Sequence, residues 1–170
     1  MHPGRRNGMD GEKKKVSVVL RNYDIESTLH TNGINSMAVD TSRQPENSGT
    51  CNLFTASRDR LIKVWHADYS KMQASVQGTT VTKGISLLAD LDDHTDWVNQ
   101  IKIIPDVKTL ISCSNDTTIR IWRYRSNHSY EAYNEKLARG NANKVYRQRA
   151  FSTFQDHDDY VRCIDYARSQ

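Results

Sequence analysis

At 170 residues the chain is long enough for one ordinary domain, yet its apolar share of 36%, tyrosine counted, falls short of the roughly 45–50% of typical globular domains. Loops or tails must therefore occupy a good part of it. The formal net charge of +4 is mild, no apolar run is long enough for a transmembrane helix, and no charged start leads into an apolar signal core, so a soluble protein of the cytoplasm, the nucleus or both is expected.

In chain order, residues 1–14 read as a disordered basic tail carrying Arg5, Arg6 and the start of the run Lys13-Lys14-Lys15. A solvated tail is preferred over a nucleic-acid arm, because no aromatic residue interleaves with the basic run. Lys15 to Arg21 is β-branched and reads as a strand, as does Gly33 to Asp40 by its alternation. Thr41 to Asn52 is a polar loop with Pro and Gly. Leu53 to Ser57 and Leu61 to Trp65 are strands joined by the tight turn Arg58-Asp59-Arg60, and a long polar loop from His66 to Lys83 leads to a further strand at Ile85 to Leu91. The order then recurs: a strand at Val98 to Ile104, a turn at Pro105-Asp106, and strands at Leu110 to Ser114 and Thr118 to Trp122 around Asn115-Asp116-Thr117. Arg123 to Arg149 is polar, with a short helix expected over Glu131 to Arg139. The stretch from Ala150 to Asp156 is a strand, and His157 opens a third cycle. Cys51, Cys113 and Cys163 are far apart and odd in number, which argues against a zinc site or disulfide framework. Cys113 and Cys163 lie in strand-like runs as small hydrophobes, and Cys51, in polar surroundings, is expected to be an exposed thiol.

The internal repeat decides the fold class. His30, His94 and His157 are 64 and 63 residues apart, and Asp59 to Asp116 and Trp65 to Trp122 both differ by 57. Four short strands per cycle, a His before the first and a Trp ending the third, resemble the WD-repeat pattern. The usual period of about 40–45 residues is exceeded here by polar insertions. The fold class expected is all-β: an incomplete WD-repeat β-propeller, with a first blade at 30–91, a second at 92–155, the start of a third at 156–170, and Lys15 to Arg21 as a ring-closing strand. Propellers close with about 4–8 blades, so the chain is expected to be a piece of a longer protein. Neither Trp65 nor Trp122 is followed by Asp, and Val107 stands where the repeat usually has Gly, which points to a different turn type there.

His94, Ser112 and Asp116 have the composition of a hydrolase triad, but Ser112 lies mid-strand and there is no Gly-x-Ser-x-Gly elbow. The same set is written twice, as His30, Thr55, Asp59 and Trp65 and as His94, Ser112, Asp116 and Trp122. It resembles the WD-repeat hydrogen-bond tetrad, a structural staple, so no catalytic residue, metal or cofactor is expected. Residues before the turn Asp (Arg58, Asn115) and after the opening His (Asp96, Trp97, Asp159, Tyr160) should sit at one rim as candidate partner contacts, since Trp, Tyr and Arg are enriched in hot spots. For Trp97 and Tyr160 the competing role is packing at a strand start, and for Asp96 and Asp159 a local turn.

The stretches KKVSVVLR, NGINSMAVD, LFTASRDRLIKVW, HTDWVNQI, KTLISCSNDTTIRIW and HDDYVRCIDYA, in that order, resemble one family: WD-repeat proteins that associate with ubiquitin-specific proteases and activate them. The resemblance implies an N-terminal propeller followed by ubiquitin-like folds. It implies a non-enzymatic subunit that binds a deubiquitinase and raises its activity allosterically, with ubiquitin as a further partner. The insertions at Thr41–Asn52, His66–Ala89 and Arg123–Arg149 depart from the family's spacing. The alternatives are a generic WD-repeat scaffold in another complex, a hydrolase using the His/Ser/Asp set, and nucleic-acid binding through the basic tail.

Overall fold

The computed structural model describes residues 29–40, 49–68, 84–125, 127–138 and 145–167. The basic tail, the Lys15 to Arg21 segment and most of the two expected loops, Thr41 to Asn52 and His66 to Lys83, lie outside them. Strands β1 (Ile34–Asp40), β2 (Thr50–Ser57), β3 (Ile62–Asp68) and β4 (Ile85–Leu91) form an antiparallel meander, the first blade. In the second, β5 (Val98–Ile104), β6 (Thr109–Ser114), β7 (Ile119–Arg123) and β9 (Ser152–Phe154) pair in the same order. Between β7 and β9 lie helix α1 (Asn127–Ala138) and the short strand β8 (Tyr146–Gln148), which pairs not with the second blade but parallel to β4 of the first. With two sheets of mainly antiparallel strands carrying repeated units, the fold is a partial β-propeller.

The alternation of side chains along each strand decides what the blades bury. On the first blade Ala38 opposes Phe54, Phe54 opposes Val64, Val64 opposes Ala89, and Ile62 opposes Leu91, so one face is an apolar row across four strands. The second blade meets it with Val98, Ile101, Leu110 and Trp122, and these residues form one core. Phe54 stacks edge-on against Tyr124 at 4.9 Å between ring centroids. The innermost strands are also stapled by polar bonds. Asn35 Nδ2 donates to the Val98 carbonyl at 3.0 Å, and Ser36 Oγ accepts the Ile101 N–H at 3.2 Å. The same links lead onward from the second blade: Asn99 Nδ2 donates to the Val161 carbonyl at 2.9 Å and Gln100 Oε1 accepts the Ile164 N–H at 2.7 Å.

Several sequence expectations are corrected here. Cys51 is buried rather than exposed, because β2 starts at Thr50 and pairs Cys51 with Ala67 of a β3 that runs on to Asp68. Cys163 is exposed, whereas Cys113 is fully buried and its thiol is pushed up to about 11 by loss of hydration. The segment opening the third cycle forms no ladder; residues 157–167 hang from the second blade by isolated bonds, including Val161 N–H to the Ser114 carbonyl at 3.0 Å. The helix begins at Asn127, four residues before the expected start, and β8 falls in a stretch whose polar composition gave no strand signal. Pro105 to Val107 form a 3-10 turn, and the left-handed residue is Lys108 (φ 47°), which spares Val107 the conformation a β-branched side chain resists.

Candidate functional site

Each blade builds its polar centre from the loop before the inner strand and the hairpin between the second and third strands. In the second blade Trp122 Nε1–H donates to Ser112 Oγ at 2.8 Å, Ser112 Oγ and His94 Nε2 are 2.7 Å apart, and His94 Nδ1 meets Asp116 Oδ2 at 2.7 Å. The first blade repeats it: Trp65 Nε1 to Thr55 Oγ1 at 2.8 Å, Thr55 Oγ1 to His30 Nε2 at 2.8 Å, and His30 Nδ1 to Asp59 Oδ2 at 2.8 Å. A carboxylate can only accept, so each histidine carries its proton on Nδ1 and takes the hydroxyl proton at Nε2. Each set of four thereby runs in one direction, Trp to hydroxyl to His to Asp.

The turn is fixed by the same aspartate. Asp59 Oδ1 accepts the Leu61 N–H at 3.1 Å and Asp116 Oδ1 the Thr118 N–H at 3.0 Å, while the second oxygen takes Thr31 N–H at 2.9 Å and Thr95 N–H at 3.0 Å. These bonds hold Arg60 (φ 75°) and Thr117 (φ 64°) in a left-handed conformation that side chains seldom adopt. Burial pushes both carboxyls up, but the hydrogen bonds led by His30 and His94 outweigh it, so Asp59 and Asp116 are held below the ordinary carboxylate value. For His94 burial wins over the neighbouring Asp116 and depresses its pKa, which keeps the ring neutral.

The repeat contains more than the four residue types singled out from sequence. Ser57 Oγ and Ser114 Oγ accept the N–H of Asp59 at 3.1 Å and of Asp116 at 3.0 Å, and donate to the carbonyls of Asn32 and Asp96, both at 3.1 Å. Aligning the two copies shows this serine two residues before each Asp, a signal that a search for triads passes over. In the second blade Arg120 also reaches Asp93 at 2.6 Å, and Thr118 Oγ1 donates to Asp116 Oδ1 at 2.6 Å. His157 is exposed and joins no such set among the described residues.

Ser112 is fully buried with its oxygen engaged on both sides, so no substrate reaches the hydroxyl in this conformation. Ser112→Ala is expected to cost about 1–3 kcal/mol by orphaning the Trp122 indole and His94. The check is the urea midpoint, and an unchanged midpoint would contradict the stapling role.

The rim candidates lie in and beside these same loops. Arg58 is exposed and its guanidinium sits 4.7 Å from the Trp97 ring centroid, a contact from the first blade to the second. Arg58 Nε also donates to Asn35 Oδ1 at 3.1 Å, and Asn115, at the matching position, accepts from Asn99 Nδ2 at 2.8 Å. Trp97 is 41% and Tyr160 51% exposed, which leaves a large part of each ring free to meet a partner. Asp96 and Asp159 accept the N–H of the following residue at 2.6 and 2.7 Å, a local turn bond that orients those rings.

Paired antiparallel blades with duplicated Trp–hydroxyl–His–Asp chains define a repeat protein of the propeller class, whose domains are generally non-catalytic scaffolds for protein interaction. Consistent with this, the family model described as WD domain, G-beta repeat matches residues 25–66 and 85–123, so the chain carries two WD repeats.

Proposed function

We propose that the chain acts as a non-catalytic regulatory subunit that binds and activates a ubiquitin-specific protease. The observation that carries the binding role is the exposed rim, where Trp97, braced by Arg58, and Tyr160 stand at matching repeat positions. The protease assignment rests on the sequence resemblance, with LFTASRD, HTDWVN and TLISCSNDTT as its most specific stretches. Ubiquitin itself is a second candidate ligand, and the compartment is cytoplasm, nucleus or both. A generic interaction scaffold is the alternative, favoured by the repeats alone.

The test is the hydrolysis rate of a fluorogenic ubiquitin substrate by ubiquitin-specific proteases, with and without the chain. Stimulation is expected, and Trp97→Ala is expected to weaken binding roughly 30-fold, as for a central hot-spot aromatic. Binding without stimulation would leave the scaffold reading and remove the activator one. Stimulation untouched by Trp97→Ala would move the contact away from this rim.

A further inference from the structure

We propose that the insertion between β7 and β9 is a clamp that locks the second blade onto the outer edge of the first, so that the two open as one unit. In a plain meander the chain would turn from β7 straight into the outermost strand, and the ends are close enough for this, since Phe151 N–H donates to the Ile121 carbonyl at 2.7 Å. Instead it crosses to the neighbouring blade. There β8 adds a fifth strand, with Tyr146, Arg147 and Gln148 beside Ala89, Asp90 and Leu91, and the Gln148 carbonyl accepts the Asp92 N–H at 3.0 Å.

The helix holds that strand in register. Asn134 Nδ2 donates to the Leu88 carbonyl at 2.9 Å while its Oδ1 accepts the Tyr146 N–H at 3.0 Å, so one side chain grips both β4 and β8. Tyr130 is fully buried beneath the helix, and its hydroxyl accepts the Arg125 N–H at 3.0 Å. Asn127 Nδ2 donates to His66 Nδ1 on β3 at 2.8 Å. Where the insertion leaves the second blade, Tyr124 Oη donates to Asp40 Oδ2 at the end of β1 at 2.6 Å. On the return, Gln148 Nε2 donates to the Arg123 carbonyl at 2.7 Å.

The β8 and Asn134 bonds lie at β4, on the outer edge of the first blade, whereas the Asn35–Val98 and Ser36–Ile101 links lie at its inner strand β1. The first blade is thus tied to the second at its inner strand, and to the insertion at its outer strand. An edge strand left bare would also present unpaired backbone groups to other chains, which β8 prevents at β4.

The test is amide hydrogen exchange on the full chain and on a variant in which residues 125–149 are replaced by a short Gly/Ser turn. Three amides report: Asp92 on the clamp, Ile101 on the inner link, and Arg58, bonded to the Gly33 carbonyl within the first blade, as control. Asp92 and Ile101 are expected to exchange roughly tenfold faster or more, with Arg58 unchanged, because protection tracks the opening free energy of each unit. Faster exchange at Asp92 with Ile101 unchanged would overturn the clamp and leave β8 as a mere edge cover. Should the replacement fail to fold, Asn134→Ala removes only the two grips of that side chain and is read at the same amides. Acceleration at both Asp92 and Ile101 supports the clamp; no change at Ile101 overturns it.

Discussion

Trp122→Ala is expected to lower the unfolding free energy by about 3–5 kcal/mol, the range for removing a large buried aromatic. Trp122 is fully buried at the junction of the blades, packed in the shared core with Leu110 opposite it on β6. Its loss opens a cavity there and deprives Ser112 Oγ of its indole donor. Trp122→Phe shifts the balance between the two effects, since it keeps an aromatic ring in the core but removes the N–H together with part of the indole. It is expected to cost less than Trp122→Ala, with about 1–3 kcal/mol of its loss due to the missing indole donor. Trp65, 8% exposed on the outward face of the first blade, should cost less on truncation because fewer core atoms lose contact. Chemical denaturation of the variants checks the order, and equal losses for Trp65→Ala and Trp122→Ala would contradict it.

Asp116→Ala should be of comparable size, about 3–5 kcal/mol, because it strands several buried donors at once. His94 Nδ1, Thr95 N, Thr118 N and Thr118 Oγ1 all lose their acceptor, at a carboxylate whose side chain is only 3% exposed. Asp59→Ala strands His30 Nδ1, Thr31 N and Leu61 N but no hydroxyl, since Leu61 stands where the second blade has Thr118. It should therefore cost about 1 kcal/mol less. The acid limb of stability carries the same signature. His94 is depressed below 6.5 in the fold, so as pH falls below 6.5 the unfolded chain takes up its proton first and stability drops. Asp116 is depressed below 3.8, so its contribution is full above 3.8 and is lost as pH falls further toward its folded value. Denaturant midpoints should decline in both windows for the native chain, and Asp116→Ala should flatten the decline below pH 3.8. A midpoint independent of pH across both windows would count against this account.

The repeat was legible because its physics is local. A hairpin whose turn needs an Asp side chain to cap it, and whose Trp needs a buried hydroxyl, must write those residues at fixed spacing, as Thr55–Asp59–Trp65 and Ser112–Asp116–Trp122 do. The strands Ile85–Leu91 and Val98–Ile104 were legible as short apolar-containing runs, the second by its place in the recurring order. What was not legible depends on distant surfaces. Cys51 is buried because β3 extends to meet it, which its own polar neighbours do not announce. The strand β8 carries Tyr, Arg and Gln, residues with little strand pattern, and exists because the edge of β4 offers it a template. The serines at 57 and 114 were hidden differently: they are visible only once the two copies are laid side by side. The exposure of Arg58 and Trp97 fits the positions the repeat gives them, but their stacking across two blades follows from packing alone.

The inner-strand links have a polarity that bears on assembly. Asn35 and Ser36 reach forward to Val98 and Ile101, and Asn99 and Gln100 reach forward to Val161 and Ile164. Each blade offers side chains on one face and backbone groups on the other, so the two faces are complementary but different. Contacts of this kind are heterologous: they cannot be satisfied by two copies facing each other across a two-fold axis, which would set like against like. Any association through these faces must run head to tail, and only a rotation that closes on itself keeps such an arrangement from growing without end.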